Sequence, residues 1–171
     1  GVIQRAVPTG SWRTIARQQP VAGDLRFITS SFKIITDLER IGDLATNLGD
    51  YTLDAERDLF PEVDINAIGD ATIGMIEDAM EAYADQDPEA CYEIADYDDE
   101  VDAMCAAASE TVARDLIERQ DIDDEERIQQ TMQDVYRLLL TIRDLERVGD
   151  HAVNIAARTL YMVESDDDLL Y

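Results

Sequence analysis

The stretch TDLERIGDLATN, residues 36–47, decides how this chain is read, because 107 residues further on the phrase returns as RDLERVGDHAVN, residues 143–154. Asp37, Leu38, Glu39, Arg40, Gly42, Asp43, Ala45 and Asn47 match Asp144, Leu145, Glu146, Arg147, Gly149, Asp150, Ala152 and Asn154. Upstream, IARQ at 15–18 is answered by IERQ at 117–120, so a helix has been duplicated within one chain. A core accounts for the repeated Leu, Ile and Ala, and Gly42 and Gly149 would let another helix come close. It does not account for Glu39, Asp43 and Asn47, or for Glu146, Asp150 and Asn154. These fall at i, i+4 and i+8 and line one stripe of oxygens along each helix.

The surroundings of both copies are helical. Ala, Leu and Ile are plentiful, Pro and Gly are sparse, and only 6% of residues are aromatic, so the fold class is all-α, a set of antiparallel helical bundles. Apolar residues Leu25, Ile28, Phe32, Ile35, Leu38, Gly42, Ala45 and Leu48 recur at spacings of three and four, which predicts a first amphipathic helix over about Pro20–Asp58. LFPEVD, residues 59–64, marks a connector, and a second helix follows over about Asp64–Ala84 with Ile65, Ile68, Thr72, Met75, Ile76 and Met80 inward. Asp87 is an N-cap, with Pro88 opening a third helix to about Glu118. Asp123 and Glu126 have the spacing of a capping box ahead of a fourth helix, which runs to about Val163 with Leu138, Ile142, Leu145, Gly149, Ala152 and Ala156 on one stripe. Ahead of all this, residues 1–23 hold no acid but carry Arg5, Arg13 and Arg17, VPTGSW interrupts helix formation, and Pro20 stops any turn before it. The domain reading is therefore a basic irregular arm over 1–18, an incomplete first repeat over 19–60, a three-helix bundle over 61–165 and an acidic tail over 166–171.

Two carboxylates one turn apart can share a cation, and two such helices face to face would offer four. DDEVD, residues 98–102, supplies the facing pair Asp98 and Asp102 on the third helix. Oxygen donors without cysteine motifs or several histidines suit Mg, Mn, Ca or Fe better than a tetrahedral zinc site. The competing reading is a solvated charged face, since so acidic a chain forms i, i+4 acid pairs from composition alone. Repetition of the pair at a fixed offset favours the metal reading. His151, the only histidine, has neither a lysine one turn away nor glycines that would admit a phosphoryl group, and reads as a surface residue or a hydrogen-bond partner beside the acids.

A net charge of −25, from 39 acids against 14 bases, repels phosphate backbones and anionic lipid, which argues against nucleic acid and direct membrane insertion. Self-repulsion that salt relieves fits a halophilic cytoplasm. Cys91 and Cys105, 14 positions apart on one helix, are separated by about 21 Å and form no intrachain disulfide. No apolar run reaches the length of a membrane span and no secretory segment opens the chain.

QPVAGDLRFITSSFKIITDLERIGDLATN, residues 19–47, resembles the third helix of a repeat of the PhoU family, the phosphate-transport regulatory proteins. PEACYEIADYDDEVDAM, residues 88–104, and LLLTIRDLERVGDHAVNIAARTLYMV, residues 138–163, resemble the second and third helices of that family's other repeat. The resemblance implies two three-helix bundles with metal held by Glu/Asp-x-x-x-Asp motifs. One site falls on Asp98, Asp102, Glu146 and Asp150 with Asn154 nearby; Glu39 and Asp43 match the third-helix half of the other. The implied cofactor is a divalent or transition-metal ion: Fe, Mn, Mg or Zn. The implied function is non-enzymatic: restraint of phosphate uptake and phosphate-starvation signalling. Its partners would be the ATPase subunit of a phosphate ABC transporter and a sensor kinase or transcriptional regulator. Residues 1–18 are too short for the two helices the family places first, so the first repeat reads as incomplete, through truncation or because a partner chain completes it, and its exposed helix reads as a homodimer surface. The alternative is a di-metal carboxylate enzyme or metal-storage bundle; a redox di-iron bundle would add Glu-x-x-His pairs that one histidine cannot provide.

Overall fold

The computed structural model describes residues 10–53, 60–118 and 125–164, and side chains from Gly23 onward. Within them lie four helices: α1 (Gly10–Leu53), α2 (Ile65–Asp85), α3 (Pro88–Glu118) and α4 (Glu125–Glu164). Short-range polar groups set the starts. The Asp64 carboxylate accepts from the Ala67 amide at 3.0 Å at the head of α2, and Asp87 Oδ1 accepts from the Glu89 and Ala90 amides at 3.0 and 3.3 Å at the head of α3. Between them Gln86 takes a left-handed conformation (φ 55°) that reverses the chain within a single turn. Asp123 and the tail after Glu164 lie outside the described residues, so the proposed capping box and acidic tail do too.

α1 differs from expectation in two ways. It begins at Gly10 and passes through Pro20, where a break was predicted. Proline removes one backbone hydrogen bond, but its φ is helical, and the flanking Ala-Arg-Gln-Gln and Asp-Leu-Arg residues have ordinary helix propensity. The second difference is the buried face. The side chains turned inward are Ser30, Ile34, Asp37, Ile41, Leu44, Leu48 and Tyr51, alternating at four and three residues, whereas Leu25, Ile28, Phe32, Ile35, Gly42 and Ala45 are exposed. The helix is apolar on two sides; one packs along α4, and α2 reaches α1 through a 2.9 Å hydrogen bond between the Tyr83 hydroxyl and Ser31 Oγ.

α1 and α4 run antiparallel: Asp37 meets His151, while Tyr51, further along α1, meets Asp144, earlier in α4. These two aspartates are the same position of the duplicated phrase, and both are buried (8% and 0% exposed). The Asp37 carboxylate accepts from His151 Nδ1 at 2.9 Å, with the Asn154 amide nitrogen at 3.4 Å. Asp144 accepts from Arg143 at 2.8 and 3.1 Å through one oxygen and from the Tyr51 hydroxyl at 3.2 Å through the other. A carboxylate only accepts, so the ring nitrogen facing Asp37 carries a proton.

α4 is the hub. One face meets α1; the other, with Ile142, Leu145, Gly149, Ala152 and Ala156 as predicted, packs against α2 and α3. Cys91 and Cys105 are buried and free, as the spacing required. Burial pushes both thiols up to about 11.

Removing the fully buried Asp144 would strand the Tyr51 hydroxyl, which crosses the helix pair, and the Arg143 guanidinium beside it. Asp144→Ala is expected to lower stability by about 1–3 kcal/mol in denaturant melts, against roughly 0.5 kcal/mol or less for the exposed Asp43→Ala.

Candidate metal centre

α3 and α4 cross where the duplicated phrase has its second glycine. A Cβ built on Gly149 would lie 3.1 Å from Asp98 Oδ1 and 3.8 Å from Val101 Cγ1, so only glycine lets the two backbones come this close without displacing a neighbour. This approach places Asp98 and Asp102 of α3 beside Glu146 and Asp150 of α4. Asp98 is half-buried, and its Oδ1 is shielded from solvent with no hydrogen-bond partner.

An unpaired carboxylate oxygen in such a position raises the cost of ionisation. Burial, then the charges of Asp102, Asp150, Asp99 and Glu146, push the Asp98 carboxyl up from 3.8 to about 6. Glu146 is shifted upward by burial, then Asp102 and Asp150. Asp150 is also shifted upward, by burial and Asp102, against the lowering effect of His151 and Arg147. The four predicted residues of the second repeat thus share one field. As the side chains lie, no three His, Cys, Asp or Glu side chains among the described residues are grouped so that they could hold a metal ion. The donor set is nonetheless all oxygen, doubly acidic on each helix, with one orphaned oxygen aimed into the crossing. That chemistry fits a hard divalent cation, which side-chain rotation would have to complete.

Glu39 and Asp43 stand apart. Both are exposed, neither is among the charges that shift Asp98, Glu146 or Asp150, and a Cβ on the adjacent Gly42 would meet nothing within 4 Å, because no described helix covers that face. Asn154, read as part of the oxygen stripe, turns its amide nitrogen to Asp37 instead. Asp37 and Asp144, repeated in both copies but given no role by sequence reasoning, are the acids that join the helices. Each sits four residues before Ile41 or Val148, on the face that the fold turns inward.

A duplicated helix paired with itself, one copy carrying a helical hairpin and an acid cluster at the crossing, defines an all-helical bundle of the carboxylate-lined kind. The PhoU domain family matches residues 10–52 and 65–159. The chain is 34% identical over 168 residues to the phosphate-specific transport system accessory protein PhoU homolog of Pseudomonas putida, covering 96% of this chain and 62% of the relative. It is 38% identical over 152 residues to PhoU homolog 1 of Methanothermobacter thermautotrophicus, covering 87% and 65%. Among solved structures, PhoU from Pseudomonas aeruginosa superposes with a TM-score of 0.76 at 31% identity, over 90% of this chain and 71% of that one. The chain belongs to the PhoU family. It spans a little under two thirds of the length of these two curated relatives.

The raised carboxyls give the fold a pH dependence of definite sign. A carboxyl with a higher pKa folded than unfolded takes up its proton first in the folded state. Its contribution to stability therefore grows as pH falls through about 6 towards 3.8, and is lost as pH rises. In chelator-containing buffer at high salt, the denaturation midpoint should rise from pH 7 to pH 5. Asp98→Asn should raise the pH 7 midpoint and flatten that rise; an unchanged slope would refute the assignment.

Proposed function

We propose that this chain is a non-enzymatic regulator of phosphate uptake and phosphate-starvation signalling, acting in the cytoplasm by contact with the ATPase subunit of a phosphate ABC transporter. The observation that carries this is the family match across all four helices, joined by relatives named as accessory proteins of phosphate-specific transport. A sensor kinase or transcriptional regulator is a second partner of the same kind. None of the described helices is long and apolar enough to cross a membrane, which suits a protein that reaches the transporter through its ATPase.

In this reading Asp98, Asp102, Glu146 and Asp150 hold a divalent or transition-metal ion, and Glu39 and Asp43 offer half of a second site. A bound cation supplies charge neutralisation: it relieves the repulsion that raises Asp98, Glu146 and Asp150 and ties α3 to α4. The excess of acids over bases belongs to a high-salt cytoplasm, where screening removes the self-repulsion.

Elemental analysis after metal supplementation at high salt, beside co-elution with the purified transporter ATPase, tests both parts. Wild type should retain metal near stoichiometrically, Glu146→Gln/Asp150→Asn should lose it, and wild type should form a complex with the ATPase. Equal metal content in both proteins would refute the site; absence of a complex at high salt, with metal retained, would refute the regulatory contact.

A further inference from the structure

The cations of this acidic chain are gathered rather than spread. Nine lysines and arginines have described side chains, and six of them border one seam, the line along which α1 and α4 meet. On α1, Arg26, Lys33 and Arg40 recur at intervals of seven, on the same helical face as Tyr51, whose hydroxyl reaches Asp144. On α4, Arg143 and Arg147 stand one turn apart, and Arg158 lies one turn beyond Asn154, whose amide reaches Asp37. These two cross-helix contacts set both stripes on one side of the pair. α2 touches α1 on the other side, at Ser31, about 200° round the helix from Lys33. The basic side is open by architecture, since Arg143 and Arg147 are exposed although α2 and α3 are both in place against α4.

Most of these cations have no internal use. Among the described residues, ion pairs are made by Arg114, Arg137, Arg143 and His151, while Arg26, Lys33, Arg40, Arg147 and Arg158 make none. In a chain with 39 acids, carboxylates to pair with are not scarce. Arg26 Nε and Arg158 Nε are in addition shielded from solvent with no hydrogen-bond partner. A guanidinium presents its donors in a planar fork, and a shielded N–H without an acceptor carries a cost that an incoming carboxylate would remove.

We propose that this seam is the docking surface for an acidic segment of a partner protein. Length and charge select that occupant. Asp37 meets His151 and Asn154, so Lys33, four residues earlier, falls level with Arg158; Arg143 lies beside Asp144, level with Tyr51. From Arg26 to Tyr51 the row therefore runs about 38 Å at 1.5 Å per residue. A single small anion would engage one part of it, whereas about a dozen extended residues would follow all of it. A nucleic-acid strand would run past the row into the field of a molecule of net charge −25, which repels it; a short acidic segment meets the row alone. The surface goes beyond the phosphate reading and holds whichever protein supplies the segment.

Fluorescence anisotropy of the full chain with a fluorescein-labelled peptide of alternating Glu and Ala, about a dozen residues long, tests the proposal. Wild type should bind, more weakly as salt rises. Lys33→Glu/Arg40→Glu, at two exposed positions, should keep the helicity of wild type and raise Kd by about tenfold or more. Arg114→Glu, which alters net charge off the row, should bind as wild type does. Position is read by carbodiimide coupling: a peptide carboxylate should join the Lys33 amine, the only lysine of the chain, and Lys33→Arg should bind equally well yet give no such product. Inorganic phosphate should displace the peptide no better than chloride at the same ionic strength. No binding by wild type, binding that survives Lys33→Glu/Arg40→Glu, coupling that maps elsewhere, or selective displacement by phosphate, the mark of a small-anion site, would each overturn it.

Discussion

The pairing of α1 with α4 across two buried aspartates is the contact on which the rest of the molecule depends. A carboxylate taken out of water must find donors close by, and here several of those donors come from the opposite helix: His151 and Asn154 for Asp37, Tyr51 for Asp144. Sliding either helix by one residue would strip these groups and leave charge buried among Ile34, Leu44, Val148 and Ile155. Apolar packing alone tolerates such slips far better. The polar contacts therefore fix a register that the hydrophobic surface only favours. Because α4 also carries α2 and α3 on its other side, that register places the acid cluster relative to α1.

The cluster itself runs against the economy of the fold. Three of its carboxyls are shifted towards the protonated form, and one oxygen has no hydrogen-bond partner. Proteins keep such local conflicts where something else gains from them, and the cation proposed for this crossing would relieve this one. The nearest compensating charges, Arg147 and His151, act on Asp150, and His151 is already engaged by Asp37. The histidine thus touches both the joint between helices and the edge of the acid group.

Much of this was legible beforehand. The limits of α2 and α3 followed from Asp64, Asp87 and Pro88, whose effects are local. Spacing offered Asp98 and Asp102 only as a candidate facing pair; their grouping with Glu146 and Asp150 was what the family resemblance implied. What escaped were the choices made by packing. Leu25, Ile28, Phe32 and Ile35 are as apolar and as regularly spaced as Ile34, Ile41 and Leu48, and periodicity cannot tell which of two apolar faces another helix will cover. The continuity of α1 through Pro20 escaped because a proline signal reports one lost hydrogen bond, not the many that remain around it. Asp37 and Asp144 escaped because an aspartate in so acidic a chain reads as surface until its neighbours are known.

The glycines of the two copies carry one further lesson, about sequence drift. At Gly149 a single methyl group would crowd Asp98, so the residue is held by its neighbours; at Gly42 the space is open, and the helix would gain roughly 1 kcal/mol from alanine. Two letters that look alike in an alignment of the repeats are therefore under unequal constraint. Among the described residues Gly42 has open space for a side chain, and Gly149 has room only if Asp98 shifts.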